Sequence, residues 1–463
     1  MTEPTALWAP HAWLSEGWRD KVLLQIGKDG RWSEITVDVV LPPEGAAVLD
    51  GALLPALVNG HSHAFQRAFA GLAERRDSAS DDFWLWRDRM YRVALRITPE
   101  QLRAIAAQLY VELLRGGYTQ VCEFHYLQHD RDGRAYPDSH ETSWALADAA
   151  AEAGIGITIL PVLYERAGFE EPALRDDQRR FALSADGVWA ARNAIAASGR
   201  ALTSAGVAIH SLRAAAPSSI ARLRRLAESA DGPIHIHVAE QMAEVEDCLA
   251  ATGLRPIKWL AREGLLDRHW QLVHATHATR EEIAAVAKAG AGLVLCPTTE
   301  ANLGDGLPDL SGWLDAGVPL AIGSDSHVTR DWREELRFLD YGQRLALRRR
   351  NVAAAPDKGW PSTAQHLFAR TQQGAAVPAG ESSWGLVPGA RADALVIDER
   401  DEPLLGVPVQ HRLDALVFSS PGRDWRDVMV AGRWVIRGRE HANEDAIAHR
   451  FETAMRSLWA DCS

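Results

Sequence analysis

The chain has 463 residues, of which 47% are hydrophobic and 24% charged, proportions that are typical of a folded globular protein with one large and one smaller domain. Its formal net charge of −12, from 62 acidic and 50 basic residues, argues against binding to nucleic acid through a basic face. Four scattered cysteines without a CxxC spacing, the lack of a signal-peptide pattern and the lack of an apolar run of about 20 residues favour a soluble cytoplasmic protein.

The first 50 residues contain short alternating stretches, KVLLQIG and WSEITVDVVL, that predict β-strands. After them, eight short apolar runs, many rich in β-branched residues, predict buried parallel strands. These runs cover residues 52–60, 118–126, 154–164, 205–212, 232–240, 270–276, 291–299 and 319–326.

Helical patterns lie between these runs, and two of them begin with clear signals. Thr98 to Gln101 and Thr279 to Glu282 both have the form of a capping box, and the second helix is expected to stop at Gly290. Strands that alternate with helices from about residue 52 to 350 predict a (β/α)₈ TIM-like barrel. A doubly wound open sheet is the alternative, because periodicity does not determine whether the sheet closes.

Both ends of the chain differ from this alternation. The stretches ARADALVID and DVMVAGRWVIRGR near the C-terminus again predict strands joined by glycine turns. We therefore expect a small β-sandwich domain built from both termini. The predicted boundaries are 1–50 for its N-terminal part, 51–385 for the barrel, and 386–463 for its C-terminal part with a terminal helix.

Two histidines stand one residue apart where the first buried run ends, in LVNGHSHAF. Side chains at positions i and i+2 of a strand point to the same face, so His61 and His63 are expected to direct both imidazoles at one point. The alternative for such a pair alone is two polar residues in a turn.

Further ligand-type residues stand where other predicted strands end, which is where barrel enzymes build their sites. They are His237 and Glu240 after the fifth strand, His274 after the sixth and Asp325 after the eighth. Each has a structural alternative, such as a core histidine or a helix-capping carboxylate, but four strands would have to follow those alternatives at once. Imidazole nitrogens with a carboxylate oxygen suit Zn²⁺.

The positions of the lysines indicate how many metal ions the chain binds. No lysine occurs between Lys28 and Lys258, so the fourth strand offers none to bridge two metal ions after carboxylation. The sequence therefore favours one metal ion per chain. Glu123, near the end of the second strand, is expected to lie behind the ligands rather than to bind a second ion.

The runs PALVNGHSHAFQRAF, HVAE, LVHAT and GSDS together resemble the amidohydrolase superfamily of metal-dependent barrel hydrolases, and VPGARADALVID is similar to the strand with which its members return to the β domain. The resemblance implies that His61, His63, His237 and Asp325 bind one Zn²⁺, or another divalent metal. It also implies that Glu240 acts as general acid and base, that His274 orients the attacked centre, and that Asp325 accepts a hydrogen bond from the attacking water.

The stretches NGHSHAFQRAFAGLAERR, HSLRA and TEANLGDG resemble a branch of the superfamily that hydrolyses the amidine of a small dicarboxylate. That resemblance implies carboxylate-binding arginines at Arg87 and Arg213, with polar contacts from Gln66, Tyr126 and His210. For Arg87 the alternative is an exposed, salt-bridged helix face.

Two other functions remain open from sequence. The same metal ligands serve a deaminase of nucleobases or other ring amidines, for which Trp84 and Trp86 leave room. A non-catalytic scaffold is a further alternative, and a homodimer is implied by the resemblance alone. The polar stretch 71–84 fits either a mobile loop or a packed dimer contact. No nucleic-acid or membrane partner is expected.

Overall fold

The computed structural model describes residues 3–74 and 83–460. Most of the polar stretch 71–84 therefore lies outside the described residues, and so does the side chain of Trp84. The choice between a mobile loop and a dimer contact stays open for that stretch.

The N-terminal strands form part of a sheet with both parallel and antiparallel pairs. They are β1 (Ala6–Leu14), β2 (Gly17–Ile26), β3 (Trp32–Thr36), β4 (Ala47–Val48) and β5 (Leu53–Leu54). β1 and β2 make a tight hairpin in which Leu14 lies opposite Gly17, and β3 continues the sheet beside β2.

The middle of the chain forms a closed ring of parallel strands. They are β6 (Leu57–Ser62), β7 (Tyr118–His125), β8 (Gly156–Leu163), β9 (Thr203–Ala205), β10 (Val207–Ile209), β11 (Ile234–Val238), β12 (Trp270–His274), β13 (Gly292–Leu295) and β14 (Leu320–Ile322). β14 pairs with β6, and β10 pairs back to β8, so the sheet closes on itself. β9 is a short additional strand on β8. The eight predicted runs thus become a barrel, and closure rules out the open sheet.

The C-terminal strands complete the smaller sheet. They are β15 (Ala394–Val396), β16 (Asp427–Val430), β17 (Arg433–Arg437) and β18 (Glu440–His441). β15 pairs antiparallel with β5, which joins both ends of the chain in the strand order β18-β17-β16-β15-β5-β1-β2-β3. A separate apolar core lies on this sheet and includes Leu7, Val22 and Met429. The β domain expected from both termini is therefore present.

Helices cover the barrel and connect its strands. Those of the described residues are α1 (Phe83–Ala94), α2 (Pro99–Arg115), α3 (Glu141–Ala153), α4 (Ala185–Ala197), α5 (Pro217–Ala227), α6 (Met242–Thr252), α7 (Pro256–Arg262), α8 (Arg280–Ala289), α9 (Pro297–Leu303), α10 (Leu310–Asp315), α11 (Trp332–Leu347), α12 (Thr363–Gln373), α13 (Ala376–Ala379), α14 (Arg412–Phe418) and α15 (Glu444–Trp459). None of them has the length and apolar character to cross a bilayer.

The predicted helix boundaries are confirmed in detail. Thr98 caps α2 and Thr279 caps α8, each with both hydrogen bonds of a capping box. α8 ends at Gly290, whose φ of 73° is the left-handed conformation that favours glycine. The terminal helix α15 packs against the barrel, where the indole of Trp459 donates to the carbonyl of Ala68.

Candidate metal centre and active site

Four of the expected ligand side chains meet where barrel strands end. The Nε2 atom of His61, on β6, lies 3.1 Å from His63 Nε2 and 2.9 Å from His237 Nε2, which comes from β11. Oδ1 of Asp325, just after β14, lies 3.4 Å from Nε2 of both His61 and His63. The structure thus gathers residues that are up to 264 positions apart around one centre.

Backbone contacts explain why β6 and β14 bring their side chains together. The backbone N–H of Asp325 donates to the carbonyl of His61 at 3.0 Å. Behind this contact, the amide of Asn59 donates to Ser324 Oγ at 2.7 Å and accepts from the Ser324 N–H at 2.9 Å. Asp325 has a φ of 46°, a left-handed conformation that costs a non-glycine residue about 1 kcal/mol or more. The hydrogen bonds to β6 hold that turn.

The histidines of the centre are suited to bind a metal as neutral ligands. Burial lowers the pKa of His61, lowers that of His63 to about 3, and lowers that of His237 well below its ordinary value. His63 Nδ1 is 3.0 Å from the carbonyl of Phe124, and a carbonyl only accepts, so the proton of the neutral ring is on Nδ1. The lone pair on His63 Nε2 therefore faces the centre.

The donor set fits a single small cation. Ligand atoms about 2.1 Å from a tetrahedral ion lie about 3.4 Å from one another, close to the separations of 2.9 to 3.4 Å seen here. Burial works against ionisation of Asp325, but the hydrogen bond with His61 and the charge of His274 outweigh it and lower the carboxyl pKa. His61, His63 and Asp325 form one metal-capable group, and His61, His237 and His274 form another.

Glu240 and His274 flank this centre. His274 Nε2 lies 3.7 Å from Glu240 Oε1 and 3.8 Å from Asp325 Oδ2. Burial raises the pKa of Glu240 to about 7, partly opposed by the charge of His274. Burial also opposes protonation of His274, but the charges of Glu240, Glu300 and Asp325 raise its pKa to about 10. A carboxyl group that titrates near neutral pH can both give and accept a proton.

The residues expected to bind the substrate line the pocket above the centre. Gln66, Arg87, Tyr126, His210 and Arg213 share it with Glu240, His274 and Asp325. Gln66 donates to the hydroxyl of Tyr126 at 3.2 Å. The side chain of Arg87 is only 12% exposed and its guanidinium lies over the Tyr91 ring, which contradicts the alternative of an exposed helix face. Trp86 also lines this pocket.

Glu123 lies behind β6 and outside the group of ligands. Its carboxylate accepts from the Ser62 hydroxyl at 2.8 Å, from the Ala64 N–H at 2.6 Å and from the Tyr110 hydroxyl at 3.3 Å. Burial raises its pKa to about 7. These contacts support the segment that carries His61 and His63, as the expectation of a residue behind the ligands requires.

Sequence reasoning missed two buried carboxylates that contact the expected catalytic groups. Glu244, in the first turn of α6, accepts hydrogen bonds from the N–H groups of Ala239 and Glu240. Glu300, on α9, contacts His274. The signal for Glu244 was its place four residues after Glu240. For Glu300 the sequence offered only its place in the stretch TEANLGDG, whose resemblance to the family branch implied no chemical role for this residue.

A barrel with a metal-capable centre where its strands end, flanked by the half-buried carboxyl group of Glu240, defines a class of hydrolase. The profile of the amidohydrolase family matches residues 52–435, and the chain belongs to this family. Membership agrees with the resemblance seen in the sequence and leaves the scaffold alternative without support.

Comparison with individual proteins is more specific than the family match. The chain is 45% identical to formimidoylglutamate deiminase of Pseudomonas aeruginosa, over 98% of this chain and 99% of that protein. It is 31% identical to 5-methylthioadenosine/S-adenosylhomocysteine deaminase of Natronomonas pharaonis, over 90% of this chain and 87% of that protein. The structure of an amidohydrolase from Brucella melitensis superposes with a TM-score of 0.92 at 40% identity, covering 98% of this chain and 99% of that one.

Proposed function

We propose that this chain is a zinc-dependent formimidoylglutamate deiminase, which hydrolyses N-formimidoyl-L-glutamate to N-formyl-L-glutamate and ammonia, a step of histidine degradation. The observation that carries the proposal is the single pocket that joins the metal-capable centre and Glu240 to the guanidinium groups of Arg87 and Arg213. The 45% identity to the Pseudomonas aeruginosa protein over nearly the whole chain supports the same reaction.

His61, His63, His237 and Asp325 would hold the zinc ion. Three imidazole nitrogens and one carboxylate oxygen are a ligand set typical of catalytic zinc. When bound, zinc lowers the pKa of water to about 7 and so supplies a nucleophile at neutral pH.

The chain's own residues guide the protons of the reaction. An amidine carbon is most electrophilic when its nitrogen is protonated, and the carboxylate of Glu240 can take a proton from the attacking water and donate it to that nitrogen. Asp325 accepts a hydrogen bond from the attacking water, and His274 orients the centre that is attacked. Glu240 then passes the second proton of the water, which the attacked carbon now carries as a hydroxyl, to the departing nitrogen. The carbon–nitrogen bond breaks, ammonia leaves, and the N-formyl amide remains.

The substrate has two carboxylates, and arginine binds carboxylates through two parallel hydrogen bonds. Arg87 and Arg213 would bind them. Arg213 is near enough for its charge to lower the pKa of Glu240 and Glu244 in opposition to burial. A carboxylate bound at Arg213 would therefore lie beside the group that moves the proton. Gln66, Tyr126 and His210 would complete the polar contacts of the pocket.

A second candidate is a deaminase of ring amidines, which uses the same centre. It is favoured by the deaminase of Natronomonas pharaonis among the relatives and by the indole of Trp86 in the pocket. The two candidates differ in what the pocket binds, because carboxylates need arginines and rings need stacking surfaces.

The experiment that separates them measures ammonia release from formimidoylglutamate, guanine, cytosine and 5-methylthioadenosine with one preparation of zinc-loaded protein. We expect formimidoylglutamate to have the highest kcat/KM and to yield one N-formylglutamate per ammonia. A higher kcat/KM on any ring substrate would replace the proposed function with the second candidate.

For the whole molecule we propose a cytoplasmic homodimer without nucleic-acid or membrane partners, on the family likeness. α11 exposes Phe338, Tyr341 and Leu345, which are spaced along one face of the helix and suit contact with a second copy. Sedimentation velocity should give about twice the monomer mass for the wild type, and a single species of 50.8 kDa would reject the dimer.

A further inference from the structure

Glu300 has no part in the reaction described above, although it comes from a stretch that the sequence singled out. It lies on α9 with 1% of its surface exposed. Its Oε1 atom accepts from the backbone N–H of Cys296 at 2.9 Å and lies 3.3 Å from His274 Nδ1. Among the described residues, its Oε2 atom has no hydrogen-bond partner.

These contacts define the direction of the hydrogen bond to His274. Oε1 of Glu300 accepts from the Cys296 N–H, and Nδ1 of His274 is the donor that faces the same oxygen. Burying a carboxylate is costly unless it is paired. In the described residues, His274 is the side chain that pairs with the carboxylate of Glu300.

The opposite edge of the same ring faces the reaction centre. His274 Nε2 is directed to Glu240 Oε1 at 3.7 Å and to Asp325 Oδ2 at 3.8 Å. The ring also stacks beside His237, with centroids 5.5 Å apart. His274 ends β12 with a φ of 67°, so its backbone is in the left-handed region where a non-glycine residue is strained. A hydrogen bond on Nδ1 fixes which edge of this ring points into the pocket.

We propose that Glu300 is a positioning residue: it holds His274 by Nδ1 so that Nε2 is presented to Glu240, Asp325 and the substrate. The inference rests on the proposed function for the reaction that it serves, but the contact itself belongs to the fold. The arrangement is that of a carboxylate that orients a histidine from the side opposite to the reacting atoms.

The test compares two substitutions at Glu300 with the same two at Glu335. E300Q keeps an oxygen that can accept from Nδ1, whereas E300L removes it and leaves the Cys296 N–H without its acceptor. Glu335, on α11, is the matched control because it is equally buried and also accepts a backbone N–H near the start of α9, from Thr298 at 3.0 Å, but does not contact His274 in the structure. Each variant is assayed for kcat, KM, zinc content and melting temperature.

We expect kcat to fall about 10–100-fold in E300L and less in E300Q, the range typical of losing a hydrogen bond that orients a side chain at a metal site. The KM and the zinc content should stay within threefold of the wild type. E335Q and E335L should keep kcat within threefold of the wild type, provided that their melting temperatures show them to be folded at the assay temperature.

Two outcomes would overturn the inference. One is a kcat for E300L within threefold of the wild type, and the other is an equal loss of kcat in the Glu300 and Glu335 variants. If E300L does not fold, Glu300→Ala against Glu335→Ala decides, because E300A also removes the acceptor oxygen and an unchanged kcat in E300A is then the contradicting result. If the wild type releases no ammonia from formimidoylglutamate, the proposed function has failed by itself. The comparison is then made on the ring amidine that the wild type does deaminate.

Discussion

Glu244 supports Glu240 from one helical turn further along the chain. The two oxygens of its carboxylate accept hydrogen bonds from the backbone N–H of Glu240 at 3.1 Å and of Ala239 at 3.3 Å. Ala239 has a φ of 50°, so the strand-to-helix turn that carries Glu240 is strained and needs such support. Glu244 is 2% exposed at the start of α6. The direction of Glu240, the proposed acid and base, thus depends on a second, buried carboxylate.

Replacing Glu244 with Ala should lower kcat about 10–100-fold, because the turn that carries Glu240 loses both hydrogen bonds. Zinc content should stay unchanged, because Glu244 contacts none of the expected ligands. Glu246→Ala is the control, since Glu246 is exposed on the same helix. Equal kcat values for the two variants, measured by ammonia release, would show that the turn does not need Glu244.

Replacing Glu240 with Gln should lower turnover by about 10²–10⁴, the range for loss of a general acid and base. Bound zinc should not change. Burial raises the pKa of Glu240 to about 7, and the carboxylate is the form that accepts the proton of water. We therefore expect the wild-type kcat/KM to fall tenfold per pH unit below about 7. The residual activity of the variant should lack that acidic limb, and an identical pH profile would assign the limb to another group.

Replacing Arg213 with Met should raise the KM for formimidoylglutamate at least about tenfold, because a charged, two-point contact with a carboxylate is lost. Arg225→Met is the control, since Arg225 is exposed on α5. Steady-state kinetics of both variants measures the effect. A KM for Arg213→Met equal to that of the control would remove Arg213 from the carboxylate site.

Glu123 should make stability depend on pH. Burial raises its pKa from 4.5 in the unfolded chain to about 7 in the folded one. Its contribution to stability is therefore complete below pH 4.5 and is lost as the pH rises through 7. The loss is at most about 3 kcal/mol, from about 1.4 kcal/mol per pKa unit. The free energy of unfolding in urea should fall less from pH 5 to pH 8 in Glu123→Gln than in the wild type. A larger fall in the variant would contradict this sign.

The architecture was accessible from sequence because it follows from local patterns. Buried parallel strands read as continuous apolar runs, and capping boxes such as that at Thr98 mark where helices begin. The expected metal ligands were accessible because barrel geometry places the ends of all strands at one rim. His61 and His237 could therefore be expected to meet without any knowledge of their distance.

The supporting residues could not be predicted in the same way. A glutamate in the first turn of a helix is common at the protein surface, so the position of Glu244 does not reveal its role. That role comes from the turn that Glu244 contacts. Glu300 and His274 are 26 positions apart and meet because α9 directly follows β13, which pairs with the strand that ends at His274. Contacts between elements decide such roles, and a single sequence does not contain their distances.

The most direct test of the central claim is the zinc content of the purified chain together with its ammonia release. We predict one zinc per chain, loss of activity when a chelator removes it, and recovery with one equivalent of Zn²⁺. His237→Ala should lose the zinc, whereas His235→Ala should retain it, because the metal-capable groups of the described residues include His237 but not His235. Undiminished turnover by the zinc-free protein, or equal zinc in the His237 and His235 variants, would contradict the account.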